Sequence, residues 1–313
     1  MTDALAKRHI GSLEVSVVGL GCNNFGGRID EHQTAEVVSA ALDAGITFFD
    51  TADIYGGTRS EELLGRALGK HRDEVMVATK FGMPVDAERT GAKPAYVRRA
   101  VEESLRRLGT DHVDLYQLHR PDPETPMADT LAALDELVRA GKVREIGCSN
   151  FSAAQIREAQ AAVRQGAARF ISVQNEYSLL KREPELEVLP ECDRLALAFI
   201  PYFPLSSGVL TGKYRRGEPP PSGTRLAGVP TGRPDSPLSD ETLSVVEALE
   251  AFAARNGHSV LELAIAWLVM QPTVASVIAG ATAPVQVRAN AKASSWVLTA
   301  AQLDEVDEIA PAH

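Results

Sequence analysis

The sequence predicts an α/β protein: a (β/α)8 TIM barrel with an N-terminal hairpin and extra helices near the C-terminus. Three observations predict it. Eight short apolar runs recur along the 313 residues, separated by segments whose apolar residues fall three or four apart. That alternation builds a parallel sheet with crossover helices. Several of the runs are apolar almost throughout, as strands covered on both faces are. Finally, no break in composition divides the chain, so residues 1–313 read as one barrel domain. A doubly wound sheet with a second domain is the structural runner-up.

Taken in order, "KRHIGSLEVS" reads as a short hairpin turning at Gly11–Ser12, placed to plug the barrel bottom. The eight strand candidates are "VSVVGLGC", "ITFFDTAD", "EVMVATKF", "HVDLYQLH", "VREIGCSN", "FISVQNEY", "AFIPYFPL" and "VASVIAGA". Helical spacing occupies 35–44, 61–68, 96–108, 131–140 and 156–163, with Ser60 placed to cap the second of these. After the seventh strand the period is lost across 214–238, a stretch dense in Pro and Gly that reads as a long surface loop. Helical patterns return at 241–255 and 260–269, and a further helix starts after Pro284.

Bulk charge excludes some functions. A net charge of -10 and a pI near 5.3 argue against a nucleic-acid or anionic-membrane surface. No apolar run is long enough to span a bilayer, and "MTDALAKRHIGS" lacks the apolar centre of a signal peptide, so a cytoplasmic home is expected. Cys22, Cys148 and Cys192 are far apart and in no metal-ligand spacing, so free thiols and no metal site are expected.

In such a barrel the chemistry sits at the C-terminal ends of the strands. Those ends carry Asp50, Lys80, His119, Ser149–Asn150, Gln174–Asn175 and Tyr202, with Tyr55 five residues past Asp50. Taken singly, each has a plain explanation: a turn cap, a solvated lysine, a buried imidazole, a packed aromatic. Together they make chemical sense. A phenol with an ordinary pKa of about 10 is a poor acid at neutral pH unless a cation favours its anion. Lys80 would supply that cation, Asp50 would hold it charged, and His119 could donate to the same substrate oxygen. "VVGLGCNNFGG" begins like a dinucleotide-binding glycine fingerprint, but its third glycine is out of place and no helix opens there.

These residues resemble the aldo-keto reductase superfamily. The resemblance runs nearly end to end, through "GLGCNNFGG", "FFDTADIYGGTRSEELLGRAL", "VATKFG", "DLYQLHRPDPETP", "GKVREIGCSNF", "VQNEYSLL", "PYFPLSSGVLTGKY" and "GATAPVQVRANAKA". It implies reversible NAD(P)H-dependent reduction of aldehydes or ketones, with the family's catalytic tetrad falling on Asp50, Tyr55, Lys80 and His119. NADPH is the expected cofactor and NADH the alternative. The implied cofactor contacts are Gly21, Cys22 and Asn23 in the first loop, Asp50, then Ser149, Asn150 and Gln174 at the nicotinamide carboxamide. Tyr202 is the implied stacking ring. Pro204, Leu205, Ser206, Gly208, Leu210 and Lys213 follow in the implied set, and Gly280, Thr282, Gln286, Arg288 and Asn290 complete it. Arg215, Arg216 and Arg225 are candidates for closing over the pyrophosphate, although those past 216 read first as loop decoration.

The implied partner is a small carbonyl compound, with no nucleic acid or membrane, and a monomer is favoured. Loop residues near Asn24–Phe25, Phe81–Arg89 and Tyr214–Pro237 are expected to set specificity, with Phe25, Tyr55 and Phe81 suggesting an apolar pocket or packing against one another. The alternatives are a cofactor-binding regulatory or partner subunit with little turnover, and a Schiff-base lyase using Lys80.

Overall fold

The computed structural model describes residues 5–312. Residues 1–4, part of the stretch read above for targeting, and residue 313 lie outside the described residues. The hairpin pairs β1 (Lys7–Ile10) with β2 (Leu13–Ser16) and turns at Gly11, whose φ of 58° is left-handed. The parallel strands are β3 (Val18–Gly21), β4 (Phe48–Asp50), β5 (Met76–Phe81) and β6 (Val113–Leu118). They continue as β7 (Val143–Ser149), β8 (Phe170–Gln174), β9 (Ala198–Phe199) and β10 (Val277–Gly280). Their order is β10-β3-β4-β5-β6-β7-β8-β9. The amide of Phe199 donates to Thr273 O (2.8 Å), and Ala275 N donates back to Phe199 O (2.9 Å), which brings the two edges together as a (β/α)8 barrel.

Around it run α1 (Glu31–Asp43), α2 (Arg59–Leu68), α3 (Pro94–Leu108), α4 (Met127–Arg139) and α5 (Ala153–Ala161). Next come α6 (Val188–Arg194), α7 (Asp240–Arg255), α8 (Val260–Met270), α9 (Pro284–Ala293) and α10 (Ala300–Ile309). The sequence reading omits α6 and α10. It also starts the first barrel strand at Val15, inside the hairpin, whereas the chain breaks pairing at Val17 and the barrel strand begins at Val18. Ser60 is not the cap of α2. The helix begins at Arg59 behind Thr58, and the Ser60 hydroxyl is buried, donating to Cys22 O at 2.8 Å.

Side-chain alternation along the strands creates two cores. Outward residues such as Phe49, Val77 and Tyr116 pack under the helices. Inward residues Phe48, Ala78, Leu115 and Ile278 fill the barrel and meet Ile10, Leu13 and Val15 of the hairpin, which closes the bottom as expected. One step further along the same inward parity stand Asp50, Lys80 and Gln117. The polar layer of the site therefore sits on an apolar floor.

Candidate active site

Asp50 is 2% exposed and Lys80 0%, so the pair is sealed inside the upper barrel. The Lys80 ammonium donates to Asp50 Oδ1, to Thr51 O at 3.0 Å and to the Tyr55 hydroxyl at 3.4 Å. Burial opposes the lysine charge, but Asp50 and Tyr55 outweigh it and the net direction is upward. Burial also lifts the Tyr55 phenol above its ordinary value, with Lys80 pulling the other way. The cation thus offsets part of the desolvation and does not bring the phenol below its usual range. His119 is pushed down to about 3 by burial first, then by Lys80 and Arg120, so its imidazole is neutral. Its ring meets that of Tyr55 edge-on at 5.8 Å, and its Nδ1 has no hydrogen-bond partner among the described residues.

Tyr55 reaches this position through a turn that only glycine permits. Gly56 has a φ of 58°, and a Cβ there would lie 2.2 Å from Phe25 O. Left-handed conformations also occur at Asn150 (62°), Phe203 (52°), Ser206 (44°) and Ser207 (57°), each costing roughly 1 kcal/mol or more. Asn150 is held there by its own side chain, which donates to His119 O (2.9 Å) and accepts from the Tyr202 hydroxyl (2.8 Å).

Above the tetrad opens a cavity of about 550 Å³. Asp50, Tyr55 and His119 line it, whereas Lys80 lies behind them. Gly21, Asn23, Ser149, Asn150, Gln174 and Tyr202 also line it. So do Pro204, Leu205, Gly208 and Lys213, and at the far wall Gly280, Thr282, Gln286 and Asn290. Four expected contacts are absent from the wall. Cys22 and Leu210 are fully buried behind it, the Ser206 hydroxyl pairs with Ser178 (3.0 Å), and Arg288 is exposed on α9. Phe25 and Phe81 do not shape the pocket either. Both are fully buried, and Phe81 stacks on Tyr116 at 4.7 Å.

The long loop corrects a second expectation. Arg225 is half-buried in the cavity wall rather than decorating the surface. It donates to Asn24 Oδ1 (3.1 Å), with its guanidinium 5.3 Å from the Phe203 ring centre. Arg215 and Arg216 turn outward to Glu250 and Glu247.

Beneath Tyr55 lies a buried acidic cluster that motif reading does not reveal. Glu61 accepts from Thr79 (2.6 Å) and Arg107 (2.6 Å), while Asp53 accepts from the Tyr96 hydroxyl at 3.2 Å. Burial, then Glu61, raise the Asp53 carboxyl from 3.8 to about 7. The unfolded chain therefore releases this proton first, and stability falls as pH rises from about 4 to about 7. One pKa unit corresponds to about 1.4 kcal/mol, so the full loss approaches about 4 kcal/mol. Asp53→Asn is expected to stabilise the fold at pH 8 by up to that amount and to do little at pH 4. Urea unfolding at the two pH values measures it, and equal effects at both would exclude a protonated Asp53.

The three cysteines are unpaired and buried. Among the described residues, no group of side chains could hold a metal ion, and no helix is long and apolar enough to cross a membrane.

Polar side chains gathered at the C-terminal strand ends of a closed parallel barrel occupy the place where enzymes of this fold carry their chemistry. The profile described as Aldo/keto reductase family matches residues 17–311, and the chain belongs to that family. It is 36% identical over 306 residues to aldo-keto reductase YhdN of Bacillus subtilis (strain 168), covering 95% of this chain and 90% of that protein. A probable voltage-gated potassium channel subunit beta of Oryza sativa subsp. japonica is 35% identical over 306 residues, covering 95% and 93%. Probable aldo-keto reductase 1 of Glycine max is 34% identical over 307 residues, covering 95% and 86%.

Proposed function

We propose that this protein is an NAD(P)H-dependent carbonyl reductase acting on aldehydes or ketones, with Tyr55 as the proton donor. The observation that carries this reading is the phenol held between a sealed lysine and a neutral imidazole in the wall of the cavity. The wall suits a dinucleotide. Asn23 Oδ1 and Asn290 Oδ1 are buried polar atoms with no partner among the described residues, Tyr202 offers an aromatic face, and Lys213 offers a cation. A bound reduced nicotinamide would supply the hydride. Tyr55 then gives its proton to the carbonyl oxygen, and Lys80 stabilises the phenolate left behind. His119, being neutral, donates a hydrogen bond without competing for that proton.

NADPH is the expected cofactor and NADH the alternative. The side chains at the far wall are the neutral Thr282, Gln286 and Asn290, and Arg288 points elsewhere. Arg225 would grip the anionic middle of the cofactor. Its replacement, Arg225→Ala, is expected to weaken NADPH binding about tenfold, the worth of a charge-assisted hydrogen bond. Fluorescence titration measures this, and an unchanged Kd would place the guanidinium out of reach. The general test is oxidation of NADPH or NADH with a panel of aldehydes, and the absence of turnover with either cofactor would overturn the reading.

A second reading, a cofactor-binding partner subunit with little turnover, draws on the relative named as a potassium channel subunit. A pure sensor has no need of the complete tetrad present here. Tight cofactor binding without turnover, together with a stable hetero-complex in pull-downs, would favour it.

A further inference from the structure

Asp50 has two carboxylate oxygens, and only Oδ1 is taken by Lys80. Oδ2 accepts from Gln117 Nε2 at 3.1 Å and from Gln174 Nε2 at 2.9 Å. Gln117 is 0% exposed and does not line the cavity, while Gln174 does. A carboxylate only accepts, so both amides must present their NH2 groups to it. The Gln117 oxygen is thereby left facing Gln174 Nε2, at 3.3 Å. Gln174 thus has two acceptors, one of them charged, on the same amide end, and its oxygen is left to face the cavity. Turning the Gln174 amide over would set oxygen against both the Asp50 carboxylate and the Gln117 oxygen, taking one of two donors from Asp50 Oδ2 and leaving the two glutamine oxygens without a donor.

Gln117 itself has little freedom. A Cβ at Gly147 would lie 3.3 Å from Gln117 Cγ and 2.4 Å from Ser172 Oγ, so the bare glycine is what leaves room for the glutamine side chain inside the barrel.

We propose that Gln117 is a positioning residue that fixes which end of the Gln174 amide faces the cavity, and so selects a nicotinamide bearing a primary carboxamide. The proposal rests on the cofactor reading given above. An acceptor oxygen held towards the cavity matches an N–H donor, and the carboxamide NH2 is the donor that a nicotinamide carries. Without Gln117, Asp50 alone holds the Gln174 amide, and its rotation is freer.

The test compares binding of NADP and of its acetylpyridine analogue, in which a methyl group replaces the carboxamide NH2. Wild-type protein is expected to prefer NADP by roughly five- to tenfold, the worth of one neutral hydrogen bond. Gln117→Met is expected to reduce that ratio to about twofold or less. In a Gln174→Met background the same change should leave the ratio where Gln174→Met alone puts it, because Gln117 acts through Gln174. A merely structural role would weaken both ligands equally and leave the ratio intact. If Gln117→Met is too unstable to titrate, Gln117→Asn withdraws the amide by one methylene and is read in the same way. A folded Gln117 variant that keeps the wild-type ratio overturns the proposal alone. Wild-type protein that binds neither dinucleotide overturns the proposal together with the cofactor reading.

Discussion

Tyr55→Phe is expected to lower kcat for aldehyde reduction by about 10²- to 10⁴-fold, the usual worth of a positioned general acid, and to leave cofactor affinity unchanged. The phenylalanine keeps the ring against His119 and removes only the hydroxyl that Lys80 reaches at 3.4 Å. Direction of pH dependence adds a second check. Because burial raises the phenol above its ordinary value near 10, Tyr55 stays protonated through the neutral range, and reduction should show no alkaline limb from it below about pH 10. Alcohol oxidation needs the phenolate and should quicken as pH rises. Steady-state rates in both directions decide the point, and a Tyr55→Phe enzyme with wild-type kcat would remove the phenol from the mechanism.

Lys80→Met is expected to abolish reduction and to destabilise the fold by about 3–5 kcal/mol, since it strands the Asp50 charge in the barrel interior. Gln117 and Gln174 still donate to that carboxylate, but no countercharge replaces the ammonium. Cofactor binding should survive, because Lys80 does not line the cavity. The double variant Asp50→Asn/Lys80→Met buries no net charge and should recover much of the lost stability while remaining inactive. Urea unfolding of the two variants at pH 7 provides the comparison. If both are equally unstable, the cost lies in packing rather than in the stranded charge. Lost cofactor binding in Lys80→Met would contradict the role given to the lysine.

Much of the barrel is legible because its strands are short apolar runs that end in polar residues. The same parity that puts Asp50, Lys80 and Gln117 inside puts Phe49, Thr79 and Phe81 outside, so the burial of Phe81 away from the pocket follows from the position of Lys80. What escapes has local physical causes. Helix α6 contains Pro190, which is tolerated because it lies in the first turn, where amides have no intrahelical acceptor. Helix α10 carries a capping box at Thr299 and Gln302, yet Val306 is its only buried residue within the helix, so no apolar stripe announces it. Strand β9 shrinks to two residues ahead of Pro201, which has no amide to give to a ladder.

For the site, the tetrad and the amide-bearing strand ends are visible in the chain because barrel geometry assigns them one rim. Arg225 is not. Its place depends on the path of a loop without periodicity, and neither Asn24 nor Phe203 marks it in advance. Gln117 could have been found: it is the single uncharged polar residue in "VDLYQL", on the inward parity and two residues before His119. Asp53 and Glu61 could not, since their meeting depends on how α2 and α3 pack over β5.

The hairpin at the barrel floor carries a consequence for how the chain comes together during synthesis. Residues 7–16 are made before any barrel strand, yet Arg8 is anchored by the carbonyls of Val269, Gln271 and Val274, which lie just ahead of the last one. Its apolar side meets Ile278 of β10 as well as Phe48 of β4. The plug must therefore wait, with Ile10, Leu13 and Val15 unburied, until nearly the whole barrel has been translated. Closure of the sheet and seating of the plug then draw on the same late segment, so the first and last elements of the barrel are locked in one concluding step. A nascent chain halted before residue 269 would hold most of its strands and still have an open floor.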